Sequence, residues 1–106
     1  MEDEITYKLL KALEENPKQS QRELSKTLGI SLGKTNYCLN ALIARGFVKA
    51  GNFRNNPRKS RYFYLLTSQG VDAKTRVALR FLRLKMREYD RLKKEIAQLR
   101  RETSRS

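Results

Sequence analysis

The chain has 106 residues, room for one small domain with an appendage, and 24 Lys and Arg against 11 Asp and Glu give it a net charge of +13. It has no His and one Cys, Cys38, which excludes an intrachain disulfide and a zinc site of the usual Cys/His kind. Its start, Met1-Glu2-Asp3-Glu4, is acidic and no apolar run approaches membrane-spanning length, so neither a secretory signal nor a membrane span is expected, and the expected location is cytoplasmic, at the nucleoid.

Residues 3–16 read as an amphipathic helix. Ile5, Leu9 and Leu13 recur every four residues, with Leu10 and Ala12 widening the stripe. Asn16-Pro17 ends it, because a residue before proline avoids the helical region. Ser20-Gln21-Arg22-Glu23 has the form of a capping box and opens a second helix with Leu24 and Leu28 on its apolar face. Gly29 supplies a tight or left-handed turn.

Ser31 is the next N-cap, and residues 32–45 form a third helix that Gly46 caps. Thr35, Cys38, Leu39, Leu42 and Ile43 share its buried face, while Leu32, Lys34, Asn36, Tyr37 and Asn40 point elsewhere. A buried Cys38 reads as a small inert hydrophobe, not a redox switch. Residues 47–54 and 61–66 read as two strands, the second rich in aromatics, and Asn55-Asn56-Pro57-Arg58 between them is a turn signal. Tyr62, Tyr64 and Leu66 share one strand face and read as core. Thr67 then caps a last helix that runs to about residue 101, with Gly70 in its first turn and residues 103–106 as a disordered tail.

The charge is distributed unevenly over these elements. Residues 1–23 carry 4 basic and 6 acidic groups, residues 24–71 carry 8 and none, and residues 72–106 carry 12 and 5. The acid-free segment coincides with two capped helices, a glycine turn and a basic hairpin. The fold class this implies is mainly α with a small β-hairpin wing (α+β), a winged helix-turn-helix plus one long C-terminal helix. The expected division is residues 1–70 as the DNA-binding unit and 71–102 as a dimerisation helix.

A major groove is about 12 Å wide and admits one helix, whose leading end offers free N–H groups to phosphate. On that expectation Ser31, Gly33, Lys34, Asn36, Tyr37 and Asn40 meet DNA from the recognition helix, the two Asn reading adenine edges and Gly33 permitting close backbone approach. Gln21 and Arg22, at the start of the bracing helix, suit the phosphate backbone. Arg54, Asn55, Arg58, Lys59 and Arg61 in the wing are candidates for phosphate or minor-groove contact, with Arg58 at the tip.

The segments Leu28-Gly29-Ile30-Ser31, Leu39, Leu42-Ile43, Arg45-Gly46-Phe47-Val48, Leu66-Thr67 and Gly70 together resemble the pattern of MarR-type winged-helix regulators. The resemblance covers about residues 4–72, and the compact form resembles the small exopolysaccharide (EPS)-associated members. It implies a transcriptional regulator, possessing no cofactor, that binds a pseudo-palindromic double-stranded operator as a homodimer.

The last helix carries an imperfect apolar seam of Val71, Ala78, Leu82, Tyr89, Leu92, Ile96 and Leu99, with Thr75 and Lys85 at the intervening positions and Phe81 and Met86 flanking it. A projecting helix with such a seam calls for a partner, most simply a second copy. The rival for this basic amphipathic helix is a membrane surface. The rivals for the whole chain are a winged-helix protein–protein module and a structured-RNA binder. Catalysis is not expected, since the sequence has no His, Walker-type loop, metal-ligand cluster or paired carboxylates. The operator, the target genes and any small-molecule effector are not written in these residues.

Overall fold

A computed structural model of the chain describes residues 3–56 and 59–104, and the side chains of residues 4–52 and 63–104. The elements in order are α1 (Asp3–Glu15), α2 (Gln21–Leu28), α3 (Leu32–Ala44), β1 (Val48–Asn56), β2 (Lys59–Leu66) and α4 (Ser68–Thr103). The fold is a winged helix-turn-helix with a long C-terminal helix, as the sequence predicts.

The core forms where the apolar faces of α1, α2 and α3 converge on the base of the hairpin and the first turns of α4. Leu9, Leu10, Leu13, Leu24, Cys38, Leu39, Leu42, Val48, Tyr64 and Ala73 are buried, with Ile5, Leu28, Ile43, Phe47 and Leu66 packed against them. Each fully buried Leu is worth about 1.5–3 kcal/mol relative to exposure, so the leucine stripes supply most of the drive to assemble three short helices. Tyr64 is thus core, as its strand face implies, and Cys38 is a free, buried thiol.

The helix ends follow the predicted capping chemistry. The Lys34 N–H donates to Ser31 Oγ at 3.1 Å and the Glu23 N–H to Ser20 Oγ at 3.1 Å. Gly29 closes α2 in the left-handed conformation at φ 68°. At the end of α3 the cap lies one residue earlier than expected. Arg45 is the C-cap, and Gly46 follows it at φ 78°. The Gly46 N–H then reaches Ile43 O and the Phe47 N–H reaches Leu42 O, a Schellman closure that turns the chain into β1.

β1 and β2 pair antiparallel from Val48↔Leu66 out to Asn56↔Lys59, with a register irregularity between Arg54 and Asn56. Both strands extend past their predicted limits of 54 and 61, because the ladder continues through residues that the local signal marks as turn. The base of the hairpin is tied down twice. The Tyr64 N–H donates to Pro17 O, and the Thr67 N–H donates to Phe47 O.

The junction between hairpin and α4 is tight. Thr67 Oγ1 donates to Gly46 O at 2.6 Å and accepts from the Gly70 N–H at 3.0 Å. A Cβ on Gly70 would sit 2.0 Å from Phe47 O, a backbone atom that cannot step aside alone. Gly70→Ala is therefore expected to cost about 1–3 kcal/mol of stability. A urea melt checks this, and an unchanged midpoint would contradict the close approach.

α4 then leaves the domain. Gly70, Ala73 and Val77 are buried against it, Lys74 Nζ pairs with Glu14 of α1, and the Phe81 ring stacks on Tyr7 at 5.8 Å. Phe81 therefore belongs to the α1–α4 junction and not to the edge of the free seam, as its spacing had suggested. From Leu82 to Ser104 every residue is exposed. The helix itself runs to Thr103, with the Ser104 N–H donating to Arg100 O, so the ordered part extends beyond the expected limit of 102. At 1.5 Å per residue its 36 residues span about 54 Å, in a molecule measuring 73 × 26 × 21 Å.

Candidate nucleic-acid interface

The helix-turn-helix is positioned by a division of α3 into two faces. Thr35, Cys38, Leu39 and Leu42 point into the core. Ser31, Leu32, Gly33, Lys34, Asn36, Tyr37 and Asn40 are all exposed on the other side. Tyr37 is 71% exposed and stands outside the core. The structure thus brings every residue expected on the recognition helix to one outward surface. No side chain crosses Gly33, where an added Cβ would meet nothing within 4 Å.

Two of the exposed amides are held, not loose. Asn40 Nδ2 donates to Asn36 Oδ1 at 3.2 Å, and Asn36 Nδ2 donates to Gln21 Oε1 at 3.2 Å. Gln21 Nε2 in turn reaches the Tyr64 hydroxyl at 3.5 Å, the longest link of the chain. The relay runs from the buried end of β2, across the start of α2, to the outward face of α3. It restricts the rotamers of these exposed amides.

Gln21 accordingly has a different position from the one its place at the start of α2 suggested. Its side chain is half-buried and turned to Asn36 and Tyr64, whereas its neighbour Arg22 is exposed. The Tyr64 hydroxyl is the participant that sequence reading missed. Its partner lies 43 residues away, so no local spacing signals the contact.

The wing is placed by the ladder. Arg54 pairs with Ser60 and Arg61 with Phe53, near the far end of a nine-residue strand that extends about 30 Å at 3.4 Å per residue. Lys49, nearer the base, is exposed. The side chains of Arg54, Asn55, Lys59 and Arg61, and Arg58 altogether, lie outside the described residues.

Expected seam residues on α4 are mostly in water. Val71, Leu82, Tyr89, Leu92, Ile96 and Leu99 are exposed, and Ala78 is half-buried. The flanking Met86 is exposed as well, as are Leu79 and Leu84, which the seam spacing did not include. No helix among the described residues is long and apolar enough to cross a membrane. A separate hollow of about 220 Å³ lies between α1, the end of α3 and α4, with Arg45, Arg76 and Arg80 on its wall. It is smaller than the roughly 300–1,000 Å³ usual for small-molecule sites. Among the described residues no group of three or more His, Cys, Asp or Glu gathers as metal ligands would.

Known proteins share this architecture. The family model described as winged helix-turn-helix DNA-binding matches residues 2–49. The chain is similar to the PcaV transcriptional regulator from Streptomyces coelicolor in complex with its natural ligand, at 24% identity and a TM-score of 0.66, over 76% of this chain and 55% of that one. It is similar to the transcriptional repressor CouR bound to a 23-mer DNA duplex, at 28% identity and a TM-score of 0.58, over 68% of this chain and 49% of that one. A MarR protein from Peptoclostridium difficile aligns at 20% identity and a TM-score of 0.66, over 94% of this chain and 67% of that one. The chain thus spans about half the length of the first two. No curated protein matches the sequence.

Proposed function

We propose that this winged helix-turn-helix protein of the MarR type is a transcriptional regulator that binds double-stranded DNA with sequence preference, as a homodimer. The observation that carries the reading is the outward face of α3, where Lys34, Asn36, Tyr37 and Asn40 are exposed together within a segment free of acid. Amides can pair with adenine edges in both directions at once, and Lys34 adds charge at the leading end of the helix. The wing and Arg22 would hold phosphates, which fix register without reading sequence. The DNA duplex bound by CouR supports the same use of the fold here.

On this reading residues 1–70 bind DNA, residues 71–102 join two copies, and the operator is pseudo-palindromic. The protein acts by occupancy, blocking or assisting polymerase, and not by catalysis. Its place is the cytoplasm, at the nucleoid. The resemblance to exopolysaccharide-associated regulators extends the proposal to genes of exopolysaccharide synthesis. A gel shift comparing duplex DNA with structured RNA of equal length tests the reading. Preference for RNA, or no binding to either, would remove it.

The roles within the site separate by mutation. Asn40→Ala is expected to relax discrimination at one base position per half-site by about 1–3 kcal/mol. Arg58→Ala is expected to weaken binding to operator and random DNA alike. Competition assays with single-base operator variants distinguish the two patterns, and equal loss on all sequences for both variants would contradict the assignment.

A further inference from the structure

The long helix carries a second pattern beside its apolar seam. Number the seam as a heptad in which Leu82, Tyr89 and Ile96 hold the first core position and Leu92 and Leu99 the second. The residues flanking the seam on one edge are then Glu88, Glu95 and Glu102. Those on the other edge, in the last two heptads, are Lys93 and Arg100. One edge is acidic and the other basic, and all five side chains are exposed.

Upstream, the acidic edge is continued by Lys74 and Phe81, and both are already engaged. Lys74 pairs with Glu14 and Phe81 stacks on Tyr7 of the same chain. The free part of the seam therefore starts at Leu82, where α4 leaves its own domain. Around the helix the seam lies about a third of a turn from the stripe of Gly70, Ala73 and Val77 that faces the domain, so a second helix can approach without displacing it.

From this we infer that the two copies join through a parallel, in-register coiled coil running from Leu82 to Leu99. The inference rests on the homodimer reading and specifies its geometry. In a parallel pair the acidic edge of one helix faces the basic edge of the other, five residues further on. Glu88 then meets Lys93 of the second copy and Glu95 meets Arg100, giving four opposite-charge pairs by symmetry. In an antiparallel pair like edges meet, glutamate beside glutamate and Lys93 beside Arg100. Ile96 at the first core position with Leu92 and Leu99 at the second is the combination that, in a parallel coil, favours two strands over three or four. Lys85 occupies a second-position site, and its Nζ is turned outward to Glu88 at 3.3 Å.

The arrangement has a consequence for the reading surface. Parallel helices carry both α3 elements at the same end of the rod. An antiparallel pair centred near Asp90 would set the domains roughly 60 Å apart along the axis, at 1.5 Å per residue. Successive major-groove faces are only about 34–36 Å apart.

The test uses the full chain with Thr103→Cys, the next first core position one heptad beyond Ile96, exposed in the single chain and within disulfide reach of its counterpart in a parallel pair. Light scattering first reads the mass, and mild oxidation then reads whether the two C-termini meet. Cys38 is buried and stays out of the reaction. The expected result is twice the 12.4 kDa chain mass and conversion of nearly all protein to a disulfide-linked dimer, independent of dilution above the dissociation constant. Twice the mass without that cross-link overturns the parallel arrangement while leaving the dimer intact, because an antiparallel pair holds the two cysteines roughly 40 Å apart. A single-chain mass overturns the arrangement and the dimer together. A charge exchange gives an independent check. Glu95→Lys is expected to raise the dimer dissociation constant about tenfold, and adding Arg100→Glu to restore it to within about threefold. Tighter association of Glu95→Lys alone, or no rescue by the pair, overturns the parallel arrangement.

Discussion

Raising monovalent salt from 50 to 200 mM is expected to lower affinity for an operator duplex about 10³–10⁵-fold, the loss that accompanies release of about 6–10 phosphate counterions. The count follows from the distribution of charge. Residues 24–71 hold eight basic groups and no acid, and five of the eight lie between Lys49 and Arg61 on the hairpin. Arg22 and Lys34 add exposed charge at the starts of α2 and α3. Three to five of these groups per copy on phosphates give the expected slope in a dimer. A titration by fluorescence anisotropy over that salt range measures it. A nearly flat response would mean that the acid-free surface does not meet phosphate, whatever the fold resembles.

The second large effect is expected far from the DNA. Ile96→Asp places a carboxylate in the middle of the free seam, on a part of α4 that touches nothing in its own domain. A buried unpaired charge is expensive, so the two helices should separate at micromolar concentration. The tie between the two reading heads is then lost. Linked binding of two half-sites exceeds a single one by about 10²–10⁴-fold through effective concentration alone, and operator affinity should fall by that factor. Affinity for a single half-site should stay the same. Sedimentation and a gel shift on paired and isolated half-sites read both quantities. Unchanged operator affinity in a monomeric Ile96→Asp protein would show that the second copy plays no part in recognition.

Much of this was legible in the sequence because it rests on local chemistry. Ser20, Ser31 and Thr67 each stand before a helix and each accepts the N–H three residues on. The leucine spacing of α1 and the inward row of α3 follow from helical period alone. The outward row of α3 follows as the remainder, and all its members are exposed. Charge asymmetry and hairpin aromatics needed no partner to be read.

What stayed hidden depends on contacts between distant segments. The amide relay joins Gln21 to Asn36 across 15 residues and to Tyr64 across 43. Gln21 alone therefore reads as a phosphate ligand, although its side chain faces inward along the relay. Gly70 is placed by local reading in the first turn of α4, but only the fold shows that a Cβ there would run into Phe47 O. Phe81 fits the edge of a seam by spacing, but Tyr7 on α1 takes it. The hairpin also outran its predicted ends, because pairing with the opposite strand overrides a local turn signal at Asn55 and Asn56.

Selection of bound duplexes from a random pool tests the central claim most directly, since it asks for sequence, symmetry and spacing at once. The expected outcome is an enriched motif with two-fold symmetry, adenine-containing half-sites, and centres about one helical turn, 10–10.5 base pairs, or a whole multiple of it apart. A recovered pool with no enriched motif would contradict sequence-specific recognition by α3.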